Sequence, residues 1–180
     1  MTTHAKNVSA DKTDVISLLM EDHKKVKKMF KDFEKMKDSG SADELSELVE
    51  NICSELTVHA EAEEAIFYPA VRAEIDDTDL VDEAEVEHGE LKELVSHLQS
   101  MTADDPKYKA TVKVLAEYVE HHVKEEEGEI FPRVKKAKMD IDALGEEVAN
   151  FKESSGMGGQ PTPTARTGGR AGASGSSRKH

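Results

Sequence analysis

Apolar residues recur every three to four positions along most of this chain, the spacing that places them on one side of a helix. The first such segment spans roughly 12–37, with Val15, Ile16, Leu19, His23, Val26, Phe30, Phe33 and Met36 on its stripe. The second, roughly 42–74, carries Leu45, Leu48/Val49, Ile52/Cys53, Leu56, His59, Glu63, Ile66/Phe67 and Ala70/Val71. The third, roughly 79–101, carries Val81, Ala84, His88, Leu91, Val95 and Leu98. The fourth, roughly 106–137, carries Val112, Leu115, Tyr118/Val119, His122, Glu126, Ile130/Phe131 and Val134. Ser41 and Glu44 have the spacing of a capping box at the start of the second segment. Asp105 followed by Pro106 marks the start of the fourth. Pro69 and Pro132 fall late in the second and fourth segments, where a proline is expected to kink the helix or end it.

Four long helices with short connections predict an all-α fold, an antiparallel up-down-up-down four-helix bundle over 12–138. A short fifth helix within 139–153, with Ile141, Leu144, Val148 and Phe151, is expected to pack across one end. Residues 154–180, rich in Gly, Ser, Pro and Arg, cannot bury enough apolar area to offset ordering and are expected to be disordered. Residues 1–11 are expected to be flexible.

Six of the stripe residues do not belong on a buried face. His23, His59, Glu63, His88, His122 and Glu126 continue apolar stripes, so four helices converge polar groups on the bundle interior. A lone buried carboxylate is very costly, and a metal ion compensates it directly. An H-x-x-x-E pair sets imidazole and carboxylate one turn apart on one face. Chance alone yields about one such pair in this composition, a weak signal. Here three occur, including His121 and Glu125, and two of them sit on the seam.

Repetition sharpens the signal. HAEAEEAIFYP at 59–69 returns as HVKEEEGEIFP at 122–132, and EDHKKVKKMF around His23 resembles VEHGELKELV around His88. Each half is a helix pair bearing one His and then H-x-x-x-E. Two carboxylates with two imidazole pairs suit a dinuclear centre. Glu63 and Glu126 would bridge, His23 and His59 would complete one metal, and His88 and His122 the other. Iron, manganese and zinc all accept this donor set, and the lack of thiolates argues against structural zinc. Tyr118 and Glu55 lie one turn before His122 and His59 and are candidates for an extra ligand or a supporting contact.

Composition narrows the partners. The 180 residues carry a formal charge of −14 at pH 7. From Lys152 onward there are five basic residues and one acidic, so the tail is +4 and the first 151 residues carry −14 − 4 = −18. Such a body repels nucleic acid and anionic lipid and is compatible with cations. The basic tail is a candidate contact for a protein partner, with a monomer or weak dimer expected. The single cysteine, Cys53, permits no intrachain disulfide. With no apolar h-region at the N-terminus and no membrane-length apolar run, a cytoplasmic location is the expectation.

These residues resemble the hemerythrin-like, HHE cation-binding domain family over roughly 13–138. The resemblance rests on His23, H-A-E-A-E at 59–63, His88 and H-V-K-E-E at 122–126, with the trailing IFYP and EIFP. It implies an antiparallel four-helix bundle holding two iron ions as a non-haem di-iron centre, with an oxo or hydroxo bridge among the forms it takes. It also implies a small ligand, O2, NO or H2O2, in redox, oxidative or nitrosative stress response or sensing. The oxygen carriers of the family have H-x-x-x-H on the third helix and H-x-x-x-x-D on the fourth. Here Lys92 follows His88 by four and helix four uses Glu126, which puts reversible oxygen carriage in doubt and resembles the 4-His, 2-Glu subgroup. The competing expectation is an enzyme, catalase-like peroxide disproportionation or NO reduction. Iron storage is a weaker third.

Overall fold

The structure, a computed structural model, describes residues 14–76 and 78–155. The expectations for residues 1–11 and for most of 154–180 lie outside the described residues. Helix α1 spans Val15–Met36, α2 Ala42–Ala62, α3 Tyr68–Glu74, α4 Asp79–Ser100, α5 Tyr108–Glu125, α6 Phe131–Ala137 and α7 Ile141–Ser154. A π-helical turn, Glu63–Phe67, joins α2 to α3, and another, Glu126–Ile130, joins α5 to α6. The bundle therefore has four continuous rods: α1, α2–α3, α4 and α5–α6.

The helix starts follow local chemistry. Asp14 accepts from the Ser17 N–H at 2.9 Å and opens α1. Both reciprocal bonds of the Ser41–Glu44 capping box are formed, an arrangement that satisfies two donors the helix leaves free. The fourth rod begins later than expected. Asp105 does accept from a following backbone N–H, that of Lys107 at 2.8 Å. Pro106 nevertheless lies in the turn before α5, which opens at Tyr108. The side chain caps a tight turn ahead of the helix rather than the helix itself.

The prolines neither end nor break their rods. In an α-helix the ring of Pro69 would meet the carbonyl four residues back and remove one hydrogen bond, at a cost of about 3 kcal/mol. The π turn avoids this by widening the helix just before the proline. The N–H of Tyr68 bonds the carbonyl of Glu63, five residues back, and Phe131 does the same with Glu126. Each proline then falls in the first turn of the next α segment, where a missing N–H is tolerated.

The rods run antiparallel. The start of α1, with Val15, Ile16 and Leu19, packs with Phe67, Tyr68 and Val71 from the end of the second rod. The end of α1, with Phe30 and Phe33, packs with Leu45, Val49 and Ile52 from its start. The same two apolar clusters take in the third and fourth rods. All six polar stripe residues are buried between them, with Glu63 and Glu126 at 0% exposure. Each large side chain in these clusters contributes on the order of 1.5–3 kcal/mol of burial. Cys53 sits in the first cluster, and burial, aided by the Glu50 charge, pushes its thiol up to about 11. It is a small apolar filler.

Helix α7 packs against α1, α2 and the first π turn. Its Val148 enters the second cluster and its Lys152 reaches Asp22. No helix among the described residues is long and apolar enough to cross a membrane.

Candidate metal centre

Each half of the chain brings two imidazoles and one carboxylate to a single layer of the bundle. The four ring Nε2 atoms point inward. His23 and His59 approach at 3.2 Å and His88 and His122 at 3.1 Å, each pair through Nε2. Glu63 spans the two pairs: its Oε1 is 3.2 Å from His59 Nε2 and its Oε2 is 3.4 Å from His88 Nε2. Glu126 Oε2 is 3.3 Å from His23 Nε2 and 3.7 Å from His122 Nε2. Donors around an ion with bonds of about 2.1 Å stand roughly 3.0–3.4 Å apart, and all of these separations but the 3.7 Å one fall in that range.

The outward nitrogens fix the inward ones. His23 Nδ1 faces Glu127 at 2.9 Å, His59 faces Asp22 at 3.0 Å, His88 faces Glu64 at 3.1 Å and His122 faces Glu87 at 2.8 Å. A carboxylate only accepts, so each Nδ1 carries the proton and donates it outward. A neutral imidazole then presents a bare lone pair at Nε2. Two such lone pairs facing each other at 3.1–3.2 Å repel unless a cation or a proton lies between them. Three buried carboxylate oxygens, both of Glu63 and Oε2 of Glu126, also lack any hydrogen-bond partner. Buried polar atoms are rarely left so. The residues therefore fit a metal ion on donor chemistry and on unmet need together. The donors fall into two overlapping sets, His23, His59, Glu63 and Glu126, and Glu63, His88 and His122.

The wider surroundings are built in matched pairs. Lys27 lies 3.7 Å from Glu127, and Lys92 grips Glu64 with both oxygens at 2.6 Å. Both lysines stay partly exposed. Each is the outer partner of the carboxylate that holds an imidazole.

A buried phenol, not singled out from the sequence, completes the layer. Tyr68, 0% exposed, donates to Glu126 Oε1 at 2.9 Å and lies 3.4 Å from His88 Nε2. Burial, reinforced by the Glu63 and Glu126 charges, holds its proton well above the usual phenol range. In the other half the matching ring is Phe131, stacked on His23 at 5.9 Å. The two sequence candidates for this supporting role lie elsewhere. Tyr118 is 37% exposed, and Glu55 pairs with Lys25 at 2.5 Å.

Protons stand in for cations in the metal-free protein. Burial opposes charge on His59, but Glu63 and Asp22 outweigh it and push its pKa up to about 10. Burial likewise opposes charge on His122, and Glu87 and Glu126 outweigh it. His88 is pushed the other way, chiefly by burial. Burial favours neutral Glu126, yet the close approach of His23 and the His122 charge hold it well below the usual carboxylate range. His59 thus carries an extra proton at neutral pH that it can lend to the lone pair of His23. A metal ion must displace such protons. Below the His59 value of about 10, apparent affinity is expected to rise about tenfold per pH unit for each proton displaced. Calorimetric titration in two buffers of different ionisation enthalpy measures the release. Binding without proton release would contradict this arrangement.

Known proteins agree with the geometry. The family of the hemerythrin HHE cation-binding domain matches residues 14–134. A hemerythrin HHE cation-binding domain-containing protein of Mycobacterium kansasii has the same fold, with a TM-score of 0.68 and 24% identity over 81% of this chain and 89% of that one. A DNA nickase of Nostoc sp. (strain PCC 7120) is 32% identical over 131 residues, 70% of this chain but 35% of the nickase, so the chain spans about a third of that relative's length. The described His and Glu cluster, the helical bundle and the match over most of the chain lead to one assignment: this chain belongs to the hemerythrin HHE cation-binding domain family, a metal-binding family.

Proposed function

We propose that the protein is a non-haem di-iron protein that takes a small diatomic or peroxide ligand, O2, NO or H2O2, in the bundle core. The observation that carries this is the convergence of four inward Nε2 atoms with three unpartnered buried carboxylate oxygens. His23, His59, Glu63 and Glu126 would hold one ion, and Glu63, His88 and His122 the other, with Glu63 shared. Two irons so held supply a redox couple and open coordination positions.

The chain's own residues limit what reaches the centre. The four imidazoles border an internal cavity of about 10 Å³, walled by Val26, Leu56, Leu91, Val119 and Val123. That is room for roughly one water-sized molecule. Asp22, Glu64, Glu87 and Glu127 hold the imidazoles in one tautomer and orientation. Tyr68 keeps its proton and offers the hydroxyl as a donor inside the site.

A second reading, an enzyme that disproportionates two H2O2 into two H2O and one O2, draws on that same hydroxyl. A phenol that remains protonated can steady a peroxide oxygen by a hydrogen bond. The nickase's name does not extend to this chain, whose charge of −14 disfavours DNA.

The test is metal analysis and spectroscopy of the full chain loaded anaerobically with ferrous iron, beside His59→Ala and Glu126→Ala. About two irons per chain, lost in both variants, with a new absorption band on adding NO, are the expected results. Rapid O2 evolution from added peroxide would select the enzyme, and a stable adduct without turnover the binder. A protein that takes up zinc but no iron would remove the oxygen chemistry altogether.

A further inference from the structure

The four carboxylates that hold the imidazoles are backed from outside by different groups. Lys27 backs Glu127, Lys92 backs Glu64 and Lys152 backs Asp22. The fourth, Glu87, pairs with no lysine among the described residues. Its Oε2 holds His122 Nδ1 at 2.8 Å, while its Oε1 lies 3.4 Å from Nε2 of His121. The same Nε2 is 3.3 Å from Glu125 Oε1, one turn along α5. An ammonium is always a donor and cannot ligate a metal, but a neutral imidazole can. At this one of the four positions, the outer partner is a metal-capable side chain accompanied by a second carboxylate.

We propose that Glu87, His121 and Glu125 form a separate, shallow site for a divalent transition-metal ion on the outer flank of the core centre. The three donor atoms lie within 4.8 Å of one another. In a tetrahedral shell with bonds of about 2.0–2.1 Å, neighbouring donors are roughly 3.3–3.4 Å apart, which matches both measured Nε2–oxygen distances. His121 is 60% exposed, Glu125 30% and Glu87 13% by side chain, so water reaches the remaining positions. One imidazole with two carboxylates suits zinc, manganese or ferrous iron. The exposed flank and the small donor number make the site weaker than the core. Its use of Glu87 Oε1 leaves Oε2 free to keep holding His122.

The pseudo-two-fold repeat underlines the difference. The positions matching His121 and Glu125 in the first half are Val58 and Ala62, neither of which ligates. The repeat thus conserves the core layer in both halves and adds this donor pair to one.

The test is equilibrium dialysis of the full, metal-free chain against Zn2+ alone. Wild type, His121→Ala, Glu125→Gln and the core variant Glu126→Ala are compared, with folding of each checked by circular dichroism. The proposal expects a weaker class of about one zinc ion per chain that Glu126→Ala retains and that His121→Ala and Glu125→Gln weaken at least tenfold. Loss of the tight class alone in Glu126→Ala separates the core reading from this one. Superimposable isotherms for wild type and the two surface variants would overturn it and leave His121 as a surface ion pair.

Discussion

Replacing Glu63 by Gln is expected to weaken metal binding more than about a hundredfold while lowering the stability of the metal-free bundle by no more than about 2 kcal/mol. Glu63 is fully buried, and neither of its oxygens has a hydrogen-bond partner. It is also the residue that reaches both imidazole pairs, through Oε1 toward His59 and Oε2 toward His88. In the metal-free protein its charge helps, against burial, to push the pKa of His59 up to about 10 but also shares a small volume with that of Glu126, so the neutral, nearly isosteric amide loses the attraction to His59 while it relieves repulsion and a desolvation penalty. Loaded with metal, the same change deletes the shared anionic ligand. Metal titration and urea denaturation of both metal-free proteins read the two effects separately. A Gln variant with wild-type affinity would show that Glu63 is not a ligand. A metal-free variant more than about 2 kcal/mol less stable would show that the carboxylate is a structural partner in its own right.

What the sequence could reveal here depended on one period. Stripes at 3.6-residue spacing located four rods and put His23, His59, Glu63, His88, His122 and Glu126 inside, as the structure places them. Where the helix keeps that period, the reading works. It fails where the helix departs from it. The π turns insert a residue of register after Glu63 and Glu126, so the next residue to face the layer is five positions on rather than three or four. Tyr68 stands five after Glu63, and α-helical spacing alone would not select it. The same spacing selected Tyr118 and Glu55, four residues before His122 and His59. The stripe held Tyr118 and Val119 side by side in the fourth segment and Leu56 alone beside Glu55 in the second, and at both places the residue three before the histidine turned inward. Val119 is 3% exposed against 37% for Tyr118, and Leu56 is buried beside a Glu55 that pairs outward with Lys25.

The supporting carboxylates were hidden for a different reason. Asp22, Glu64, Glu87 and Glu127 sit beside stripe residues in sequence, where an acid on one helix reads as a solvated charge. Their work is done between rods: Glu127 serves His23 across 104 positions, and Asp22 serves His59 across 37. Only the recurrence of an acid before His23 and His88, and after Glu63 and Glu126, hinted at it. A pattern along one helix cannot show a hydrogen bond to another, but a pattern repeated in both halves marks where to look.

Stripping the metal from the loaded protein is expected to lower its stability by about 4 kcal/mol when the free ion had stood at a thousand times its dissociation constant. For a domain of this size that corresponds to roughly 8–16 °C in melting temperature. The effect should be large because the cation does work in this layer that no side chain does. A bound ion would separate imidazole lone pairs that face each other at 3.1–3.2 Å and satisfy three carboxylate oxygens that are otherwise unmet. Thermal melts with and without chelator measure it, and readdition of the ion should restore the transition. The Glu63→Gln protein is the control, because chelator should barely move its melting temperature. Equal shifts in wild type and variant would place the stabilising ion somewhere other than this layer. No shift in wild type would mean that protons shared within the imidazole pairs hold the layer together as well as a metal does. That outcome would remove the physical reason for reading these six residues as ligands, since the layer would then be complete without the ion that its geometry calls for.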